Sequence, residues 1–182
     1  MAAVEGLRIY PVKGLDGIDL ETTDLTPGGT LAGDREFALI TADGTRFNGK
    51  QSARIHELST DFDPASGALS VETPAGEAVA FTLPEEAERD RAATWFEDFF
   101  ETEPLDLRRD TEQGFVDRTS MGPSVISTAT LETVAGWFDD LTVESARRRL
   151  RANVEISGVP AFWEDRFVGE GAPTFEAGSV RF

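Results

Sequence analysis

The sequence of 182 residues is long enough for one large domain or two small ones, and its hydrophobic content of 40%, with 13 Phe, can fill a core. Its 34 Asp and Glu against 17 Lys and Arg give a formal charge of −17, which repels nucleic acids and anionic membranes and excludes both as general partners. The absence of cysteine excludes disulfides, thiolate metal ligands and a cysteine nucleophile within these residues.

The positive charge of the chain comes almost entirely from arginine, because Lys13 and Lys50 are its only lysines. An acidic, lysine-poor composition indicates adaptation to a salt-rich cytosol, where carboxylate repulsion is screened over roughly 3 Å at 1 M ionic strength. No apolar run reaches the roughly 20 residues that span a bilayer, and residues 1–6 lack the features of a signal peptide. We therefore expect a halophilic, cytoplasmic protein.

The chain begins with short β segments separated by turns. Residues 7–12 alternate apolar and polar side chains as a strand does, and residues 18–20 form a second short segment after glycines. Residues 37–41 and 45–48 flank an Asp-Gly pair at Gly44, which supplies the positive φ of a narrow hairpin turn.

A second hairpin follows in the same half of the chain. Residues 69–71 and 79–83 alternate apolar and polar side chains on either side of Pro74-Ala-Gly76. The first half therefore predicts a small antiparallel barrel or sandwich.

Helical spacing replaces strand alternation after Pro84. Apolar residues in 84–100 recur at i, i+3, i+4 and i+7, with acidic residues at the positive end of the helix dipole. Ser127 or Thr128 could cap a second helix, and residues 142–149 could form a shorter one. Strand character resumes at 153–156.

The fold class is thus predicted as mainly β with a few helices, an α+β protein. The change of pattern near residue 84 predicts two domains. Residues 1–84 would form a β-barrel-like domain, and residues 85–182 would form a helical connection followed by a further β domain.

Two kinds of candidate site, a catalytic histidine and a pair of metal-binding carboxylates, have simpler interpretations. His56 is the only histidine, and a catalytic triad would need a convergence in space that the sequence does not show, so a loop histidine is favoured. Carboxylate pairs such as Asp61 with Asp63, or Asp139 with Asp140, could chelate a hard cation. Because the chain is so acidic, a solvated surface is the favoured interpretation of both pairs.

Arginines are concentrated near the end of the third predicted helix, where 147–151 holds four of the 17 basic residues. Guanidinium groups bind phosphate oxygens in bidentate fashion, so an anionic ligand is one interpretation. The alternative for Arg147 and Arg148 is a surface ion pair with Glu144 at i+3 or i+4, and this is favoured. Arg149 and Arg151 are the better ligand candidates.

Lys13 and Trp163 each have two interpretations. Lys13 ends the first strand and could bind a phosphate, or it could be an ordinary surface lysine. Trp163 could line a flat pocket in which Asp165 accepts hydrogen bonds from a heterocycle, or it could pack in the core with Phe162. No glycine-rich phosphate loop, dinucleotide fingerprint or paired-histidine metal motif is present. From the residues alone we predict a soluble β-rich protein with a candidate anion site.

Five segments together resemble the MOSC family, with its N-terminal β-barrel domain; they are 9–13, 33–37, 125–131, 149–154 and 158–165. The first two are similar to the Tyr-Pro-(Val/Ile)-Lys-Ser and Asp-Arg stretches of the N-terminal barrel. The others are similar to Ser-x-Ala-Ser-Leu, Arg-Phe-Arg-Pro-Asn-(Ile/Val) and Gly-x-x-x-(Phe/Tyr)-x-Glu-Asp of the MOSC domain. The resemblance implies an antiparallel barrel packed against a partial MOSC β-barrel.

Members of this family bind the pyranopterin molybdenum cofactor, and pyridoxal phosphate binding is a further family-level association. The resemblance implies reduction of N-oxygenated compounds, with an electron-transfer protein as partner, or transfer of sulfur. Seven residues match cofactor-contacting positions of the family motifs, and they are Lys13, Arg35, Ser127, Thr130, Arg151, Asn153 and Asp165.

Roles for these residues follow from the resemblance. Lys13 and Arg35 would hold the cofactor phosphate or the pterin, and Ser127 and Thr130 would donate hydroxyl contacts near a helix start. Arg151 and Asn153 would bind the pterin edge, and Asp165 keeps the role already given to it beside Trp163. Departures from the motifs at Gly14, Thr130 and Ala152 weaken the individual contacts there.

The family's molybdenum-ligating cysteine follows a strand like residues 178–182, and it is not among these 182 residues. We expect that the sequence stops before this segment, so that the cofactor belongs to the full-length protein and is absent from this chain, which alone is inactive. The alternative is a natural non-catalytic module that binds a pterin, another anion or a protein partner.

Overall fold

A computed structural model describes residues 1–118, 122–169 and 171–181, and it divides them into two compact units. The first unit contains the described residues of Met1–Arg8, Asp19–Asp24 and Ser120–Phe182. The second unit contains those of Ile9–Ile18 and Leu25–Thr119. Strands outnumber helices in both, which confirms the predicted mainly-β α+β class.

The strands of the described residues are β1 (Ala3–Ile9), β2 (Ile18–Leu20), β3 (Phe37–Thr41), β4 (Ser59–Asp63), β5 (Ala68–Glu72), β6 (Ala78–Thr82), β7 (Leu105–Arg109), β8 (Val125–Ser127), β9 (Val154–Ser157), β10 (Glu176–Ala177) and β11 (Val180–Arg181). The α-helices are α1 (Glu86–Phe100), α2 (Thr128–Ala135) and α3 (Val143–Leu150), and 3₁₀ turns occupy Ala53–Glu57 and Trp163–Phe167.

The second unit holds an antiparallel β4-β5-β6 meander and an antiparallel β3-β7 pair. The predicted β5-β6 hairpin is confirmed, with Gly76 at φ +81° in its turn. At the predicted hairpin after β3, Thr41 donates to the Thr45 carbonyl at 2.9 Å and Gly44 has φ +84°. Residues 45–48 form a bridge between Arg46 and Ile40, and the Phe47 amide donates to the Leu39 carbonyl at 2.8 Å, while β7 pairs with the whole of β3 along its other edge.

Helix α1 lies close to its predicted bounds and supplies the aromatic part of the second unit's core. Its buried residues follow one face of the helix and include Phe96 and Phe100. Phe96 contacts Phe81 of β6 with ring centroids 6.5 Å apart, while Trp95 and Phe99 pack partly buried beside it. The i, i+3, i+4 spacing therefore identified the buried face correctly.

The first unit is built on a four-stranded sheet in the order β2-β1-β9-β8. Strand β9 pairs antiparallel with β1 and parallel with β8. The first strand covers Ala3–Ile9 rather than the predicted 7–12, because pairing with β9 starts at Ala3, opposite Ser157. The predicted strand at 178–182 is present as β11, except that Phe182 lies outside the described residues.

The two short helices of the first unit begin where the capping residues predict. The Ser127 hydroxyl accepts the Thr130 amide at 3.1 Å, and the Thr142 hydroxyl accepts the Ser145 amide at 3.1 Å. Such caps satisfy amides that have no partner within the helix. Leu131, Ala135 and Ala146 then form the small core shared by α2 and α3.

The two compact units contain different chain segments from the two predicted domains. Helix α1 and strand β7 share a unit with β3 to β6, and β1 shares a sheet with β8 and β9. The domain boundary at residue 84 stays a prediction. No sheet of the described strands closes into a barrel, and no helix in the described part of the chain is long and apolar enough to cross a membrane.

Candidate functional site

Lys13 is a buried lysine whose backbone amide and side-chain ammonium are both held by hydrogen bonds. Its amide donates to the Phe37 carbonyl at 2.8 Å, and a parallel bridge joins Val12 to Phe37. Its Nζ donates to the Phe115 carbonyl at 3.0 Å and to Asp117 Oδ1 at 2.8 Å. Because only 11% of the side chain is exposed, the ammonium has a defined position.

Arg35 lies beside it in the second unit and is also held firmly. The backbone of Arg35 is left-handed, with φ +50°, and its amide donates to the Tyr10 carbonyl at 2.8 Å. Its Nη1 pairs with the buried Asp34, and the guanidinium lies 4.9 Å from the centre of the Tyr10 ring. Asp34 in turn accepts the Tyr10 amide at 2.9 Å, so the arginine has a rigid support.

Arg46 adds a third cation. Its Nη1 donates to the Val116 carbonyl at 3.0 Å and lies 3.9 Å from Asp117 Oδ1. Lys13, Arg35 and Arg46 are called the basic cluster below. A single carboxylate oxygen, Oδ1 of Asp117, thus lies within ion-pair distance of two of its members.

The charges of this cluster act on one another. Burial, with the neighbouring Arg46 and Arg35, lowers the pKa of Lys13 although Asp117 opposes the shift. The hydrogen bond from Lys13 lowers the pKa of Asp117, and the positive charges of Arg46 and Arg35 add to the effect. Asp117 is therefore ionised at neutral pH, and the cluster attracts negative charge in a chain of net charge −17.

The loop that carries Asp117 is anchored on Arg35. The Phe115 amide donates to the Arg35 carbonyl at 2.7 Å. Gly114 has φ +71°, and a Cβ there would stand 2.5 Å from the Asp34 carbonyl oxygen. Only glycine permits this approach without strain, so the loop conformation depends on it.

The predicted site residues of the first unit include two that form the buried start of α2. Besides accepting the Thr130 amide, the Ser127 hydroxyl lies 2.7 Å from the Thr130 hydroxyl. The Thr130 oxygen accepts the Phe162 amide at 2.7 Å, and the Ser127 amide donates to Glu164 at 3.1 Å. Both hydroxyls therefore take part in internal hydrogen bonds that join α2 to the segment around Phe162.

The side chain of Asn153, like those of Ser127 and Thr130, makes hydrogen bonds within the first unit. Its side-chain oxygen accepts from the amide and the hydroxyl of Ser124 at 3.2 and 2.9 Å, and its side-chain nitrogen donates to the Arg8 carbonyl at 3.0 Å. Asn153 is buried, and these bonds connect the neighbourhoods of β8, β9 and β1.

Arg151 and Asp165 lie nearer to solvent. Arg151 ends α3 in the left-handed conformation, with φ +55°, and its amide donates to the Arg147 carbonyl at 3.1 Å. Asp165 is exposed on the 3₁₀ turn Trp163–Phe167, and its amide donates to the Phe162 carbonyl at 3.3 Å.

The other residues considered in the sequence analysis lie outside the basic cluster or form contacts within the protein. Arg147 pairs with Glu144, as predicted, and also with Glu155, which the sequence did not indicate. His56 is exposed on the 3₁₀ turn Ala53–Glu57, as the loop interpretation expects. Trp163 is half-buried and contacts Phe167 and Phe175 edge-on, with ring centroids 4.5 and 5.2 Å away.

Two members of the charged group were not predicted from the sequence. Arg46 follows the Asp-Gly turn, and only the fold brings it to Asp117, 71 positions further along the chain. Asp117 is one of 34 acidic residues and has no distinguishing sequence signal. Among the described residues, no group of three or more His, Cys, Asp or Glu side chains could hold a metal ion.

Comparison with known protein families identifies the first part of the chain. The family model described as the MOSC N-terminal beta barrel domain matches residues 1–144, more than half of the chain. No curated protein sequence matches the chain significantly.

Proposed function

The chain belongs to the family of the MOSC N-terminal beta barrel domain, and we propose that it binds the pyranopterin molybdenum cofactor and anchors the phosphate of that cofactor at the basic cluster. The observation that carries the proposal is that Lys13 and Arg46 share the exposed carboxylate of Asp117, while Arg35, held by the buried Asp34, acts electrostatically on the same carboxylate. Only two carboxylates, Asp34 and Asp117, pair with these three cations, so the cluster keeps a positive charge within a chain of net charge −17.

The donor set of the cluster suits a phosphate group. Lys13 offers a compact positive charge that already binds one carboxylate oxygen at 2.8 Å. Guanidinium groups such as those of Arg35 and Arg46 can hold two phosphate oxygens at once. Lys13 and Arg35 are largely buried and held by neighbouring groups, so they are preorganised for a ligand. Binding would then cost little side-chain entropy.

The metal of the cofactor requires other residues. When bound, the cofactor supplies oxygen-atom or sulfur chemistry at molybdenum, a soft centre that takes a thiolate ligand. The 182 residues contain no cysteine. Reduction of N-oxygenated compounds with an electron-transfer partner, or sulfur transfer, is therefore proposed only for a protein in which that ligand is supplied.

The five matched residues of the first unit enter the proposal in two ways. Arg151 and Asp165, which lie nearer to solvent, are proposed to contact the pterin directly. Ser127, Thr130 and Asn153 hold the starts of α2 and β9 through internal hydrogen bonds. Their proposed contribution is to position the backbone around them as much as to bind.

A second candidate function is a non-catalytic module that binds an anion or a protein partner. It is favoured by the same internal hydrogen bonds of Ser127, Thr130 and Asn153, which account for these residues without a ligand. It also agrees with the exposed aromatic side chains Trp137 and Phe138.

The test uses the only two lysines as a matched pair. Lys13→Gln and Lys50→Gln change the net charge equally, but Lys50 is exposed and lies outside the cluster. The protein is incubated with the isolated cofactor and desalted, and retained pterin is measured by fluorescence after oxidation, with molybdenum measured by elemental analysis. Because the 182 residues contain no cysteine, we expect the wild type and Lys50→Gln to retain pterin without stoichiometric molybdenum, and Lys13→Gln to retain about tenfold less pterin.

Two outcomes would contradict this proposal. A wild-type protein that retains no pterin but binds inorganic phosphate would favour the non-catalytic alternative. Equal retention by both lysine variants would remove the basic cluster from the cofactor site.

A further inference from the structure

Asp117 differs from the cations around it in its freedom to move. Its side chain is 85% exposed, whereas those of Lys13 and Arg35 are 11% and 17% exposed. Rotation of Asp117 into solvent would break its contacts with Lys13 and Arg46 and would leave the Phe115 carbonyl on Lys13 Nζ. The carboxylate can leave the cluster, whereas Lys13 and Arg35 are held in place, and Arg46, 38% exposed, keeps its hydrogen bond to the Val116 carbonyl.

We propose that Asp117 is a built-in counter-ion that an incoming ligand displaces, and that it makes the basic cluster selective for dianionic phosphomonoester groups over monoanions such as chloride. This inference rests on the proposed function, because it concerns the same cluster. It adds a specificity-determining residue that does not itself bind the ligand.

The selectivity follows from charge. Exchange of the carboxylate for chloride replaces one negative charge with another and leaves the electrostatic balance of the cluster unchanged. The tethered carboxylate also has a high effective concentration, so a free monoanion competes with it poorly. A dianion brings a second negative charge and further acceptor oxygens, which Lys13 and Arg46, the two cations that already share Asp117 Oδ1, can engage together.

The protonation state of the carboxylate is consistent with this role. The hydrogen bond from Lys13 keeps the pKa of Asp117 below its ordinary value. Asp117 therefore remains charged throughout the neutral range and competes with ligands at every physiological pH.

The experiment compares Asp117→Asn with Asp106→Asn in the intact chain. Both substitutions remove one negative charge from an exposed side chain of the second unit, but Asp106 pairs with Arg108 rather than with a member of the basic cluster. Dissociation constants of inorganic phosphate and of phenyl phosphate are measured by calorimetry near pH 8, where both are mainly dianionic. Ionic strength is held constant, once with chloride and once with gluconate.

We expect Asp117→Asn to bind both phosphates about tenfold more tightly than the wild type in gluconate, because no internal anion has to be displaced. Chloride should weaken this variant several-fold while changing the wild type by less than about twofold. Asp106→Asn should behave as the wild type does. Phosphate binding by Asp117→Asn alone would also support the inference.

The outcomes that overturn the inference differ from those that overturn the proposed function. Equal affinities in the wild type and both variants, together with loss of binding in Lys13→Gln, would leave the anion anchor in place and remove Asp117 from it. Absence of phosphate binding in all of the proteins would overturn the anchor and the inference together. Binding of inorganic phosphate without phenyl phosphate would overturn the assignment to monoesters.

Discussion

Arg147 and Glu155 form a two-point ion pair in the first unit, with Nε 2.6 Å from Oε2 and Nη2 3.1 Å from Oε1. Glu155 lies on β9 with only 8% of its surface exposed, and it also accepts the Thr128 hydroxyl at 2.9 Å. Arg147 additionally pairs with Glu144 of α3. Glu155 therefore connects both short helices to β9, an interior strand of the sheet.

Replacement of Arg147 by Met should lower the free energy of unfolding by about 3 kcal/mol, because it leaves the buried Glu155 carboxylate without its cation. Urea unfolding followed by tryptophan fluorescence measures the change. Arg149→Met removes the same charge from an exposed position of the same helix and should cost less than about 0.5 kcal/mol. Equal effects of the two substitutions would refute a special role of the Arg147 pair.

The carboxylate of Glu155 should also make the protein less stable in acid. Burial raises the pKa of Glu155, but the hydrogen bonds from Arg147 and Thr128 outweigh burial, and the net shift is downward. A pKa below the ordinary Glu value of about 4.3 means that the unfolded chain binds this proton more tightly. The stabilisation is fully present above that pH and is lost as the pH falls through the folded-state pKa.

Urea titrations between about pH 3 and about pH 6 test this dependence. The free energy of unfolding should fall at the acidic end, and Glu155→Gln should show a shallower fall because one linked proton is gone. An identical slope in the variant would show that Glu155 contributes nothing to the acid sensitivity.

Gly114 gives a prediction about the loop that carries Asp117. Gly114→Ala should destabilise the protein by about 2 kcal/mol or more, since the new Cβ would meet the Asp34 carbonyl in addition to the strain of a positive φ. Gly76→Ala, at a similar φ with no atom within 4 Å of the added Cβ, should cost about 1 kcal/mol. Thermal unfolding of the two variants provides the comparison, and a larger loss for Gly76→Ala would contradict the contact.

The net charge of −17 predicts that stability increases with salt. Repulsion among exposed carboxylates acts over about 10 Å at 0.1 M salt and about 3 Å at 1 M, so the urea midpoint should rise between these concentrations of KCl. Replacement of the exposed Asp139 and Asp140 by Asn should reduce the rise. A midpoint independent of KCl would argue against the halophilic interpretation of the composition.

Local sequence signals predicted much of the secondary structure. Asp43-Gly44 fixed a turn, apolar spacing identified the buried face of α1, and Ser127 and Thr142 marked two helix starts. These features depend on neighbours within a few positions. The strand β4 was not predicted, because its short alternating segment became a strand only by pairing with β5.

The family and its cofactor were suggested by short motifs, and the family was then confirmed over residues 1–144. The partners of the candidate site residues, in contrast, depended on the fold. Asn153 matched a cofactor-binding motif, yet its amide makes three internal hydrogen bonds, a result that no motif could predict. The contact between Arg147 and Glu155 likewise required a helix and a strand to be placed side by side.

The sequence by itself determined the acidic character of the protein, its lack of thiolate ligands, and most of its helices and hairpins, and it selected Lys13 and Arg35 as candidate site residues. Only the tertiary structure decided that Arg46 and Asp117 join Lys13, because residues 33 and 104 positions away along the chain meet through sheet pairing and loop anchoring. Charge is a property of composition, whereas the position of a charge is a property of the fold.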